Sequence, residues 1–368
     1  MRIGDIEQII EAWAPQWTAW ERDNVGLQVG DRQRKVSRIL VALDVTERVV
    51  EEALAKNVEL IVSHHPLLFR PASSITVSND LGRMILKLAE SKIAVYSAHT
   101  NLDFTRDGVS FQLAYALGLK NVRFLAPLKE TLAKIAVFVP PKAVDRVATA
   151  LSSVGAGVIG EYSSCSFRVA GSGTFRGSAA SRPQTGKAGR LERVDEVRLE
   201  MIAPRAAMDA CIDAMKEVHP YEEVAYDVYP VSNKSPNYGM GAIGETTTVL
   251  TLKSFLARSK KALHAEAVRY AGDLKKTVKR VAVCGGSGSD LLNAAIDARA
   301  DLFITADIRY HTYQGAGGRI ALADAGHWET EQVILEPLAE HLRRAAEQRK
   351  VRLSVFVTRY STNPTHHL

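Results

Sequence analysis

The sequence predicts an α/β protein: a mainly parallel sheet core covered by helices, interrupted by a ferredoxin-like α+β inserted domain. Three observations carry that expectation. Short apolar runs alternate with helix-period segments through the first third, the same rhythm returns in the last third, and the middle switches to strand–helix–strand, strand–helix–strand order. Parallel strands buried on both faces read as near-continuous apolar runs, and repeated βα units place helices on both faces of the sheet.

Each element has its own signal. Ile6 to Trp13 has amphipathic helical spacing, and Arg38 to Leu43 is an apolar strand. Thr46 caps a helix running through Val49, Val50, Ala53 and Leu54. Leu60 to Val62 reads as a strand, Leu81 to Ala89 as a helix, Ile93 to Tyr96 as a strand, and Val109 to Leu117 as a helix closed by Gly118. In the last third, Val281 to Cys284, Leu302 to Ile304, Ile320 to Ala323 and Leu353 to Val357 are strands. Asp290 to Ala298 and Glu331 to Arg344 are the helices between them.

The middle gives strands at Lys134 to Val139, Glu196 to Ile202 and Glu223 to Tyr229, with helices at Lys142 to Val154 and Arg205 to Val218. Gly171 to Arg190, rich in Gly, Ser and Arg, reads as a long hairpin tip or mobile loop. Seven Lys/Arg against three Asp/Glu from Arg168 to Arg198 fit a solvated basic loop. Ser232 to Asn237 marks the way back to the larger domain. The expected division is residues 1–127 with 241–368 as one domain in two halves, and 128–240 as the insertion.

Bulk properties narrow the classes. A chain of 368 residues, 46% hydrophobic and 24% charged, has the composition of a soluble globular protein. The net charge of +6 permits anionic substrates without arguing for nucleic acid. Asp5 and Glu7 interrupt the start before any signal-like apolar core, and no apolar stretch is long enough to span a bilayer. Cys165, Cys211 and Cys284 are odd in number and far apart, which fits neither a disulfide framework nor a thiolate zinc motif. A cytoplasmic setting without membrane attachment is expected, and any metal must be held by imidazole and carboxylate.

Three apolar runs end in such groups. Leu60-Ile61-Val62 leads into Ser63-His64-His65-Pro66, and Ile93-Ala94-Val95-Tyr96 into Ser97-Ala98-His99-Thr100-Asn101-Leu102-Asp103. Ile320-Ala321-Leu322-Ala323 leads into Asp324-Ala325-Gly326-His327-Trp328-Glu329-Thr330-Glu331. Ligands bind outside the carboxyl ends of strands in open α/β sheets, so the three ends point to one shared site. A tandem His is weak evidence by itself. Asp103 follows His99 by four residues in what reads as a non-helical loop. His327 and Glu331 share a face if a helix has begun there; otherwise the preceding loop can fold His327 back.

His64, His65, Asp103, His327 and Glu331 make five donors, more than one four-coordinate ion needs. Two divalent ions with a bridging carboxylate, about 3.5–4 Å apart as in two-metal hydrolases, would use them all. The mixed donor set suits zinc, iron or manganese better than calcium or magnesium. His99 and His311 could orient a ligand, hold substrate or move a proton, or be hydrogen-bonded structural histidines. His219, before Pro220-Tyr221-Glu222-Glu223, reads as part of a turn entering a strand. Cys284-Gly285-Gly286-Ser287-Gly288-Ser289-Asp290 could cradle a phosphate on its amides or serve as a tight strand-to-helix turn.

At these residues the chain resembles the NIF-three-like family, whose members are often labelled GTP cyclohydrolase I type 2 homologues. The resemblance is carried by Asp23-Asn24-Val25-Gly26-Leu27-Gln28-Val29-Gly30, Ser63 to Pro66, Ser97 to Asp103, Cys284 to Gly288, Asp307-Ile308-Arg309-Tyr310-His311, Asp324 to Glu331 and Thr362-Asn363-Pro364. It implies a dinuclear centre held by His64, His65, Asp103, His327 and Glu331, with Glu331 as the bridge. It also implies a ring-shaped homo-oligomer, usually a hexamer, for members with the insertion. Trp328 and Ser110 depart from the family's usual Tyr and Asn, and neither departure removes a ligand.

The leading functional expectation is a metal-dependent hydrolase, of cyclohydrolase or phosphoesterase type, acting on a nucleotide or other phosphorylated small molecule. A metal-holding assembly or adaptor without enzymatic activity is the alternative. Nucleic-acid binding rests only on the mild positive charge and the Arg-bearing loop.

Overall fold

The computed structural model describes residues 1–368. The chain divides into two compact units, Met1–Ala126 with Asn237–Leu368, and Pro127–Pro236.

The larger unit holds two sheets where the sequence led us to expect one. The first runs Gly26–Val29, Ala94–Ser97, Leu60–Ser63, Arg38–Ala42, Ser354–Val357. All its neighbours are parallel except the antiparallel edge strand Gly26–Val29. The second runs Arg269–Ala271, Ala321–Asp324, Leu302–Thr305, Thr277–Val283, Gly239–Thr251, Lys120–Pro127. Its three central strands are parallel and are bordered by antiparallel partners on both sides.

Alternation along the strands explains why the parallel ones were legible. Ile39 and Val41 pack with Ile3, Ile6 and Ile10 of the first helix and with Leu338 and Leu342 of the helix Leu335–Gln348. Leu40 and Ala42 face the other way, toward Val49, Val50 and Ala53 of Glu47–Ala55 and Leu88 of Asp80–Glu90. Successive side chains point to opposite faces, and both faces are covered, so every position is apolar. The second sheet repeats this: Val281 and Val283 pack with Phe111 and Phe255, while Ala282 packs with Leu292 and Ala295.

Two expected boundaries near the site are corrected. Thr100–Asp103 is a short helical turn and not a loop; Asp103 N bonds back to His99 O at 3.1 Å. The long helix expected from Glu331 is broken into His327–Glu331, a tighter turn Gln332–Ile334, and Leu335–Gln348. Pro337 explains the break: it has no N–H to continue the ladder, but is tolerated in the first turn of a new helix.

The smaller unit is a four-stranded antiparallel sheet, ordered Phe167–Phe175, Glu192–Pro204, Leu132–Val139, Tyr226–Val231. Val144–Ser153 and Met208–Val218 bury Val147, Leu151, Cys211 and Met215 against Ile135, Val137, Leu199 and Met201. The segment Gly171 to Arg190, expected as a long hairpin tip or mobile loop, is the tip of a hairpin that begins inside the strand: Gly171 to Phe175 pair with Glu196 to Glu192, and the connection is 176–191. Glycine and serine disfavour strands only weakly when the partner supplies the pairing.

Candidate metal centre

Strand ends from both sheets of the larger unit converge. His64 N and His65 N bond to Ala42 O and Leu43 O, extending the parallel ladder two residues beyond Ser63. The Ser63 hydroxyl donates to His65 O at 2.8 Å and meets the Ser97 hydroxyl at 2.8 Å, fixing the turn that aims the two imidazoles. His327 and Glu331 lie four apart on one short helix, with Nε2 and Oε2 3.2 Å apart.

Each of the four imidazoles of the cluster, His64, His65, His99 and His327, is held through Nδ1. His64 Nδ1 meets Ala98 O at 2.8 Å; a carbonyl can only accept, so Nδ1 carries the proton and Nε2 is left as a lone pair. His65 Nδ1 sits 2.7 Å from Asp44 Oδ1, and His327 Nδ1 2.6 Å from Asp307 Oδ2. His99 Nδ1 is 2.9 Å from both oxygens of Asp23. Asp44 is in turn held by the Thr362 hydroxyl and Asp307 by that of Ser287. Carboxylates behind imidazoles are the usual outer support of metal-ligating histidines.

The inward atoms are left without such partners. His64 Nε2, Asp103 Oδ1 and Glu331 Oε2 are buried and make no hydrogen bond. Yet His64 Nε2 lies 3.6 Å from Asp103 Oδ1 and 3.9 Å from Glu331 Oε1, and His65 Nε2 lies 2.9 Å from Glu331 Oε2. Close approach without hydrogen-bond alignment is what lone pairs show when they face a common cation. Buried polar atoms almost always have partners, so three orphans at one point fit a metal ion.

Electrostatics agree. Burial opposes the charge on Glu331, but His327, His64 and His65 outweigh it and hold the carboxyl well below its usual range. Burial raises Asp103, despite the opposing pull of His64. Burial likewise disfavours charge on His65, while Asp44 and Glu331 push it up to about 10. Buried carboxylates this close draw positive charge to the spot, as protons or as metal ions.

Two groups of three could each hold an ion: His64, His65 and His99, and His65, His327 and Glu331, their ligand atoms all within 4.8 Å of one another in each group. Asp103 reaches the site through His64. His311 is exposed, with Gln314 and Tyr310 as neighbours, and none of its hydrogen bonds reaches the cluster.

Three supporting carboxylates, Asp23, Asp44 and Asp307, had no role assigned from sequence. Asp44 carried a usable signal, because it follows the apolar strand Arg38–Ala42 just as His64 follows Leu60–Ser63. Asp307 adopts a left-handed conformation at φ +53°, sparsely populated by non-glycine residues and frequent at functional sites.

The glycine-rich turn is not a free cradle. Gly285 N, Gly286 N and Gly288 N bond to the hydroxyls of Ser110, Thr330 and Thr305. Its glycines are needed for contact with the cluster: a Cβ on Gly286, at φ +59°, would stand 2.1 Å from Glu331 Oε1. Beside His65 and His327 opens a cavity of about 510 Å³, also lined by Asp44, Arg269, Asp307 and Trp328.

Fold and site together define a two-sheet α/β protein with a buried histidine–carboxylate cluster able to hold metal. The chain belongs to the Duf34/NIF3 (NGG1p interacting factor 3) family, whose model matches residues 1–364. It is 40% identical over 361 residues to a Bacillus subtilis protein named GTP cyclohydrolase 1 type 2 homolog, covering 98% of this chain and 96% of that one. A protein of the same name from Halalkalibacterium halodurans is 38% identical over 361 residues, covering 98% and 97%. Among solved structures, a Bacillus cereus protein related to NIF3 superposes with a TM-score of 0.88 at 39% identity, covering 100% of this chain and 99% of that chain. No helix is long and apolar enough to cross a membrane.

Proposed function

We propose that the protein is a metal-dependent hydrolase of a nucleotide or other phosphorylated small molecule, with two divalent ions held by His64, His65, Asp103, His327 and Glu331. The observation that carries this reading is the set of orphaned, buried atoms on His64, Asp103 and Glu331. Imidazole and carboxylate donors favour zinc, iron or manganese. The nucleotide comes from the name of the relatives. We also read Pro127–Pro236 as an inserted ferredoxin-like domain, on its strand–helix–strand–strand–helix–strand order.

Bound ions supply Lewis acidity and neutralise developing negative charge. The protein's own groups do the rest. Asp44 and Asp307 lock His65 and His327 in one orientation, so the cluster is preorganised. His99, backed by Asp23, presents Nε2 for moving a proton between substrate and solvent. Arg269, anchored by the buried Asp324, offers positive charge to an anionic group in the cavity beside His65 and His327.

The test is a turnover screen of GTP and phosphodiesters with metal-reconstituted protein, repeated with His65→Ala and Glu331→Ala. Both variants are expected to lose metal and turnover together. Turnover that persists in a metal-free variant would exclude the mechanism.

A further inference from the structure

Phe69 is 64% exposed, and its ring lies at the edge of the histidine cluster. Its ring centre stands 6.2 Å from that of His99, at 71° to it. The His99 ring is in turn 5.3 Å from that of His64 and 5.5 Å from that of His65. Phe69 thus marks one end of a continuous run of rings leading into the cluster.

The segment Asp23 to Gln28 fixes both sides of this corner. Asp23 holds His99 by Nδ1, as above, leaving Nε2 for the cluster. Asn24 Nδ2 donates to Leu68 O at 2.7 Å, and Leu68 N donates to Gln28 Oε1 at 2.8 Å. Gln28 Nε2 also donates to Asn24 O at 2.7 Å, tying the two clamps together. Both backbone groups of the residue before Phe69 are therefore held by side chains from the segment that positions His99. An exposed aromatic on an unconstrained loop would need no such anchoring.

We infer that Phe69 is a substrate-stacking residue that recognises a planar heterocycle and turns its edge toward His99 and the cluster. Asn24 and Gln28 are positioning residues for it. The inference rests on the hydrolase reading above and deepens it: the heterocycle lies on the Phe69 side. An exposed π-face binds a base by stacking, whatever the base's hydrogen-bonding pattern.

The experiment measures binding of guanosine and of ribose 5-phosphate to the full chain, in metal-loaded and chelator-treated forms, with metal content read in parallel. Phe69→Ala is expected to weaken guanosine binding by roughly ten-fold or more, leaving ribose 5-phosphate binding and metal content unchanged. Phe69→Trp restores guanosine binding, whereas Phe69→Leu does not. Asn24→Ala and Gln28→Ala weaken it in part. Equal guanosine binding by Phe69→Ala and wild type, or full rescue by Phe69→Leu, would overturn the inference, as would metal-loaded wild type that binds no guanosine. Failure of wild type to take up metal counts against the hydrolase reading instead, and the Phe69 series on chelator-treated protein still decides the stacking role.

Discussion

His64 in the larger unit and His219 in the smaller one are both buried, at 0% and 8% exposure. Their nitrogens fare differently. His219 Nε2 donates to Phe138 O at 3.2 Å, and its Nδ1 accepts from Tyr221 N at 3.1 Å, so both nitrogens are satisfied and the ring is neutral. Burial pushes its pKa below the ordinary histidine value. His64 satisfies Nδ1 alone and leaves Nε2 facing two carboxylates. Burial is common to both rings; the second nitrogen is what separates them.

That contrast is broken most sharply at Glu331. Glu331→Ala is expected to abolish metal retention through dialysis, checked by elemental analysis, while His219→Ala keeps the wild-type complement. Gly286→Ala comes next. Its added Cβ displaces the Glu331 carboxylate, so metal uptake falls while the fold survives, which circular dichroism and metal titration together would register.

Asp44→Ala and Asp307→Ala leave His65 and His327 in place but free their Nδ1 atoms. Metal affinity is expected to drop about 10- to 100-fold, measured by competition with a chromophoric chelator. On the other side of the comparison, His219→Ala strands Phe138 O and Tyr221 N. A loss of about 1–3 kcal/mol is expected in denaturant unfolding, with no change in metal content.

The smallest effect is on pH dependence. The unfolded chain binds a proton at His219 more readily than the folded one. Its stabilising contribution is therefore present above the unfolded pKa of about 6.5 and is lost as pH falls below it. His219→Gln is expected to flatten that acid limb slightly in thermal melts; an unchanged limb would mean that another group sets it.

The legible parts of the fold are those where one force acts alone. Arg38–Ala42, Leu60–Ser63 and Leu302–Thr305 are buried on both faces, so their apolar runs announce them. Gly239–Thr251 gave no apolar run because its outer half, Glu245 to Thr251, is threonine-rich with exposed residues at 247–249, and its place comes from pairing with Thr277–Val283. Lys120–Pro127 is half exposed and equally quiet.

The site divides in the same way. Candidate donors stood out where a histidine or carboxylate follows an apolar run, as at His64, His65 and His327. Asp44 also follows an apolar strand, but a lone aspartate there reads equally well as a turn residue, and its contact with His65 is what gives it a role. Asp23 meets His99 across 76 positions of chain, a pairing that no local pattern encodes.

Metal stoichiometry tests the central claim most directly: that the unpaired atoms of His64, Asp103 and Glu331 surround bound cations. Purified protein is stripped, reconstituted with zinc or manganese, dialysed and counted by elemental analysis against protein concentration. Two ions per chain, falling to none in Glu331→Ala, is the expected result. No retained metal in the wild type, or equal retention in Glu331→Ala, would contradict it.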